Sequence, residues 1–208
     1  MKIITTAKVL GLVAALAVAG CGDEKEPVQT GAGATSSTTD EPTSTTGATS
    51  TTGGIDPLPD ADADPKSGPD GATEYGQLAD VQIGRHEGFD RVVFAFRGNG
   101  VPGYRVEYVD PPITEDASGK VVEVDGDAFL FVRMEPASAY DMEAGEASYT
   151  GPARLDGSDA GTSEVQEVVK TGDFEAVLGW VIGLADEVDF RVYTLTNPGR
   201  IVVDVRNH

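Results

Sequence analysis

Across residues 77–208 the apolar residues recur with a period of two, in short runs, and that spacing leaves few folds open. The runs LADVQIGR, RVVFAFR, YRVEYV, KVVEV, AFLFVRM, EVQEVVK, AVLGWVIGL, FRVYTL and RIVVDVR are rich in Val, Phe and Tyr and largely alternate. Successive side chains of a strand point to opposite faces, so each run can bury one face and solvate the other. Turn signals separate the runs: HEGFD, GNGVPG, VDGDA, LDGSDAG, KTGD and TNPG. Short strands at this spacing, with no convincing helix between them, predict an all-β fold, a β-sandwich of two packed sheets. VQEVVK could also start a short helix. Asn197-Pro198-Gly199 suits a type II turn, with the fixed φ of proline followed by glycine at positive φ. A single cysteine excludes an internal disulfide, so burial must stabilise the fold.

Two runs match each other. Arg91 to Arg97 reads RVVFAFR and Arg200 to Arg206 reads RIVVDVR. Alternation puts Val92, Phe94 and Phe96 on one face of the first, and Ile201, Val203 and Val205 on one face of the second. The opposite faces carry Arg91, Val93, Ala95, Arg97 and Arg200, Val202, Asp204, Arg206. YRVEYV and FRVYTL share an aromatic-Arg-Val start, in reversed order relative to the Arg strands, so a simple tandem duplication is excluded. The expectation is two similar sheets packed core to core.

The N-terminal third is different in kind. Lys2 and Lys8 supply positive charge ahead of an apolar stretch, Val9 to Ala19, followed by Gly20 and the lone Cys21. This stretch is too short to span a bilayer, which takes about 20 residues. LAVAGC resembles a bacterial lipobox. The resemblance implies a signal peptide over residues 1–20, cleavage before Cys21, and a diacylglycerol on its thiol, which would anchor the protein on the extracytoplasmic face of the cell membrane. Residues 21–76 then read as a disordered linker rich in Thr, Ser, Gly, Pro and Asp, dispensable for folding and with a reach of roughly 40 Å. The DADAD run, Asp60 to Asp64, lacks the glycine and glutamate that a calcium loop of the EF-hand type places at its sixth and twelfth positions. Residues 77–208 form the folded domain.

VQIGRHEGFDRVVFAFRGNGVPGYRVEYV and FRVYTLTNPGRIVVDVRN resemble the AMIN-like domain of actinobacterial lipoproteins, with NPGRIVVDV the most specific piece and GDFEAVLGWVIGL in its middle. The resemblance implies an all-β sandwich that binds peptidoglycan or positions an envelope protein partner. No amidase segment follows Arg206, so the targeting role of related modules has no enzyme here to serve.

The residue inventory argues against catalysis. Only His86 and His208 are present, and no G-x-S-x-G, P-loop or G-x-G-x-x-G occurs, so no cofactor or metal is expected. His86 and Asp90 could pair across a turn, as a general base or, more ordinarily, as a turn lock. The carboxylate pairs Glu115/Asp116 and Asp186/Glu187 could serve a glycosidase but are expected by chance in so acidic a domain. A net charge of −20 makes nucleic acid a poor partner. Against that acidity, Arg91, Arg97, Arg105, Arg191, Arg200 and Arg206 all fall in the matching segments. They could form a basic stripe for the carboxylates or phosphates of a cell-wall polymer, or pair across strands with Glu107 and Asp204. In AVLGWVIGL, Leu178, Trp180, Ile182 and Leu184 read as core. Gly179 and Gly183 on the other face would admit a sugar ring or a packed loop.

Overall fold

A computed structural model describes residues 56–69 and 73–208. Thirteen strands carry the fold: β1 (Lys66–Gly68), β2 (Gly76–His86), β3 (Phe89–Phe96), β4 (Gly103–Tyr108), β5 (Ala128–Glu135), β6 (Ala137–Ser138), β7 (Tyr140–Asp141), β8 (Glu146–Ala147), β9 (Arg154–Asp156), β10 (Val165–Phe174), β11 (Val177–Leu184), β12 (Phe190–Leu195) and β13 (Arg200–Arg206). A six-stranded sheet runs β1-β4-β5-β11-β10-β9 and a five-stranded sheet runs β12-β13-β3-β2-β6, with β7 and β8 forming a small hairpin. The all-β sandwich expected from the alternation is the fold observed.

The alternation places the core as expected. Val92, Phe94, Phe96, Ile201, Val203 and Val205 from the five-stranded sheet meet Val132, Met134, Leu178, Trp180 and Ile182 from the other. Trp180 stands at the centre, its ring centroid 5.9 Å from Phe94 and 5.7 Å from Tyr149. Burying these large side chains is worth about 1.5–3 kcal/mol each, the main force holding the layers.

Several local expectations are corrected. The matching Arg strands do not sit in two opposed sheets: β3 and β13 are antiparallel neighbours in one sheet, Val92 opposite Val203 and Arg91 opposite Asp204. VQEVVK is strand, the start of β10. KVVEV makes only an isolated bridge, Val121 with Thr114, within a loop laid over the six-stranded sheet. KTGD is not a turn. β10 runs through it with a register shift at Lys170/Gly172, and the chain reverses at Glu175-Ala176, both at positive φ (51° and 61°). In TNPG the positive φ falls on Asn197, not Gly199. Gly199 is needed for closeness instead, since a Cβ there would overlap the carbonyl of Gly100.

The domain also begins earlier than residue 77. Residues 56–69, read from sequence as linker, pack on the sandwich: Leu58 is fully buried, β1 pairs with β4, and Asp62 bridges to Phe190 of β12. A Pro- and Asp-rich run carries no periodic apolar signal, and one leucine plus a backbone edge suffices to dock it. Cys21 and the rest of residues 1–55 lie outside the described residues.

Candidate ligand-binding face

Antiparallel register writes the outer face of the five-stranded sheet as rows. Arg91 of β3 faces Asp204 of β13, which faces Arg191 of β12. One step along, Val93, Val202 and Tyr193 line up, and a further step gives Ala95, Arg200 and Leu195.

The first row is a clamp. Asp204 is fully buried although it lies on the outer face. Arg91 donates Nε to its Oδ1 at 2.6 Å and Nη2 to its Oδ2 at 3.0 Å. Arg191 donates Nε and Nη2 to Oδ2 at 3.1 and 2.9 Å. A buried carboxylate needs such charged donors, because alone it would face a desolvation cost of several kcal/mol. Hydrogen bonding to Asp204 raises the pKa of Arg91 further above its already high ordinary value. Phe89 and Tyr193 flank both guanidiniums: Arg91 lies 5.0 and 5.8 Å from the two ring centroids, Arg191 5.9 and 5.5 Å. These cation–π contacts hold the guanidinium planes in place.

Two cations on one anion leave the clamp one positive charge. Each arginine spends Nε and Nη2 on Asp204, so among the described residues Nη1 of each has no protein partner. Side-chain exposures of 27% and 28% keep both within reach of solvent. Arg200 stands four residues along β13, about 13 Å away at the strand rise. It makes no ion pair among the described residues, and its buried Nε has no hydrogen-bond partner. Between these guanidinium groups runs the aliphatic and aromatic row of Val93, Val202 and Tyr193. Beside Arg191 a groove of about 480 Å³ opens between Tyr193 and the docked segment at Pro59, Asp60 and Lys66.

The basic stripe expected from sequence is therefore divided. Arg206 shares the sheet but ties down the docked segment, donating to Asp56 at 3.0 Å and to the Leu58 carbonyl at 3.3 Å. Arg97 lies beyond the end of β3 and pairs with Asp141 at 3.1 Å. Arg105 belongs to the six-stranded sheet, opposite Arg133, and forks to Glu107 at 2.7 Å on both oxygens. The glycine face of β11 is occupied by the chain itself: a Cβ at Gly183 would overlap the Asp125 carbonyl, and one at Gly179 would lie 3.0 Å from the Asp116 carboxylate. A packed loop, not a sugar ring, explains both glycines.

The other candidates resolve into local structure. His86 stacks on Phe89 at 4.8 Å. Asp90 accepts instead from the backbone N–H groups of Ser163, Glu164 and Val165 at 3.0, 2.7 and 3.1 Å and from Asn207 Nδ2 at 2.7 Å. It locks the two sheets together. Glu115 takes the Ser118 hydroxyl while Asp116 lies over Gly172 and Gly179, and Asp186 and Glu187 line an acidic pocket with Asp110 and Asp127. In the DADAD run, Asp62 accepts from the Asp64 N–H and from Lys66. Among the described residues no group of three or more His, Cys, Asp or Glu could hold a metal ion, and no helix is long and apolar enough to cross a membrane. Sequence reasoning missed Tyr193 and Phe89 as partners of the arginines. The signal was available only once β3, β13 and β12 were known to be adjacent.

Fold and face together define an all-β sandwich module with a preorganised arginine-aromatic surface. The family profile of the AMIN-like domain matches residues 76–207, well over half of the chain, and the protein belongs to that family. No curated protein and no solved structure matches the chain significantly.

Proposed function

We propose that this protein is an envelope lipoprotein whose sandwich binds an anionic cell-wall component, peptidoglycan foremost, without chemistry, through the outer face of β12, β13 and β3. Membership of the AMIN-like family supports a cell-wall-associated module. The observation that carries the reading to this face is the clamp: two guanidiniums fixed by one buried carboxylate, with unspent donors and one surplus charge. Arg forks suit carboxylates and phosphates alike, Tyr193 offers a ring for a sugar to stack on, and Arg200 supplies a second anchor for an extended polymer. Cys21 carries the lipid anchor in this reading, which holds the domain to the outer face of the cell membrane.

Co-sedimentation of the purified protein with isolated cell wall tests the binding. Arg200→Gln and Tyr193→Ala should each reduce the bound fraction several-fold, added salt should weaken it, and thermal melting of the Arg200 variant should match the parent. Binding unchanged in both variants sinks this face as the site. Membrane retention of Cys21→Ser equal to that of the parent would refute the anchor.

A further inference from the structure

The sandwich has two side seams, and the described residues close only one. At the seam between β1 and β12, residues 56–69 supply an extended segment that adds β1 to the edge of β4 and bridges to β12. At the opposite seam, among the described residues, most of the β2 edge and the edge of β9 are left unpaired. β2 pairs with β3 from Leu78 to His86, but on its other side it pairs with β6 only through Gly76 and Gln77. β9 is the last strand of the six-stranded sheet and, among the described residues, is joined to β10 alone. Between the two edges runs a groove of about 550 Å³, floored by Val81, Ile83, Pro152 and Leu155 and rimmed by Asp156 and Asp159. Asp80 caps the Val81 N–H at 3.0 Å, which marks that amide as facing away from β3. The period of two then turns the amides and carbonyls of Ile83 and Arg85 toward the groove as well.

We propose that this seam takes an extended, cationic segment of a partner protein, added as a strand beside β2. Unpaired strand edges are templates for just such addition, with backbone hydrogen bonds giving affinity and alternate side chains entering the apolar floor. Charge selects the occupant. Asp156 and Asp159 line the opening, with Asp80 next to it on β2, and Asp159 has no ion-pair partner among the described residues. Of the nearby arginines, Arg154 is neutralised by Glu167 at 2.8 Å, and Arg85, bonded to the neutral Gly161 carbonyl at 3.3 Å, sets one positive charge against three carboxylates. Residues 22–55 of this chain hold Asp23, Glu24, Glu26, Asp40 and Glu41 against Lys25 alone, and a second copy would present the same acidic rim. Both are the wrong sign. The site is separate from the arginine face and is tested without wall material.

The experiment is titration of the isotope-labelled full chain, followed by amide NMR, with an acetylated hexapeptide alternating Lys and Val. Saturable shifts and slowed hydrogen exchange at Ile83 and Arg85 and in β9 are expected. The Glu-Val counterpart should bind at least about tenfold more weakly, and a Lys-Val peptide N-methylated on alternate amides should not bind. Asp159→Lys, outside both sheets, should weaken the Lys-Val peptide about tenfold, and Leu155→Glu is the second variant, blocking the floor. Absence of saturable shifts at the seam, or equal binding of the Lys and Glu peptides, overturns the proposal. So does protection of these amides in the free chain that is lost on removing residues 22–55, or that depends on protein concentration.

Discussion

Along the seam where β1 approaches β12, the sandwich is filled by residues 56–69: Leu58 is fully buried, Asp56 is held by Arg206, and Tyr108 exchanges hydrogen bonds with Val188 at 2.7 and 2.9 Å. Burial in that seam pushes the Tyr108 phenol up to about 12. Along the other seam Ile83 and Leu155 stay partly exposed between two ties: Asp90 of β3 gathers the backbone ahead of β10 near one end, and the Ala137 N–H of β6 donates to the Ala176 carbonyl at 2.8 Å near the other. The same kind of edge is thus covered in one place and bare in another. Coverage at the first seam comes from residues that precede the family match at 76, so the folding unit is larger than the recognisable domain. A strand edge left bare in so short a sandwich is a feature to be tested, because edges without cover invite pairing with other chains.

The sharpest way to break the comparison is to unseal the closed seam. A chain beginning at Gln77 loses β1, Leu58 and the bridge to Phe190, and should melt far below the parent or without a cooperative transition by circular dichroism. An unchanged melt would show that residues 56–69 merely rest on the surface. Next in size, Leu58→Ala deletes a fully buried side chain and should cost about 2–5 kcal/mol. Leu155→Ala, on the floor of the open seam, removes a side chain already in contact with water and should cost about 1 kcal/mol. Urea denaturation of the two variants side by side measures the contrast, and equal costs would mean the seams are packed alike.

How much of this was legible in the sequence follows from the range over which each interaction acts. β3 and β13 could be read, inward faces included, because a period-two pattern in RVVFAFR and RIVVDVR is local. Their adjacency could not, since pairing partners more than a hundred residues apart leave no local trace. For the same reason the arginines were visible while their division between two sheets was not. The Glu175-Ala176 turn was illegible for a different cause. Positive φ at both residues usually calls for Gly or Asn, and here tertiary closure imposes it on a glutamate and an alanine, while Gly172 three positions before Glu175 supplied a false turn signal inside a strand. The segment 56–69 was missed because proline and aspartate dominate it and a single leucine carries its docking.

A smaller effect sharpens the contrast through charge. Arg206→Ser frees Asp56 and the Leu58 carbonyl, so it should loosen the closed seam, while Arg200→Ser, with no ion pair to lose, should leave stability nearly unchanged. Exchange of the Asp62 amide, which donates to the Phe190 carbonyl at 3.2 Å, reports the seam directly. It should speed up in the first variant only.

The smallest expected effect separates the two sides by the sign of their pH response. The Asp56 carboxyl is held below its ordinary range, chiefly by its hydrogen bond from Arg206. Its contribution is complete above the ordinary aspartate value of 3.8 and is lost as pH falls through the lower folded value. Glu164, next to the Asp90 tie, behaves oppositely. Burial pushes its carboxyl above the ordinary 4.5, only partly countered by the Asp186 N–H that donates to it at 2.8 Å. The fold therefore prefers the protonated acid. Stability is lost as pH rises from 4.5 through the folded value, and the loss persists at neutral pH. Glu164→Gln keeps an oxygen for the Asp186 N–H and removes the charge, so it should be more stable than the parent at pH 7 and equal to it below about pH 4.5. Arg206→Ser should instead differ most at neutral pH and approach the parent only below 3.8, where Asp56 in the parent has itself been discharged and the loss of the Leu58 carbonyl bond is the main difference left. Denaturation midpoints of the three proteins from pH 3 to 7 decide the matter. Glu164→Gln less stable than the parent at pH 7 would mean that the Asp186 contact, not the buried charge, governs this side of the sandwich.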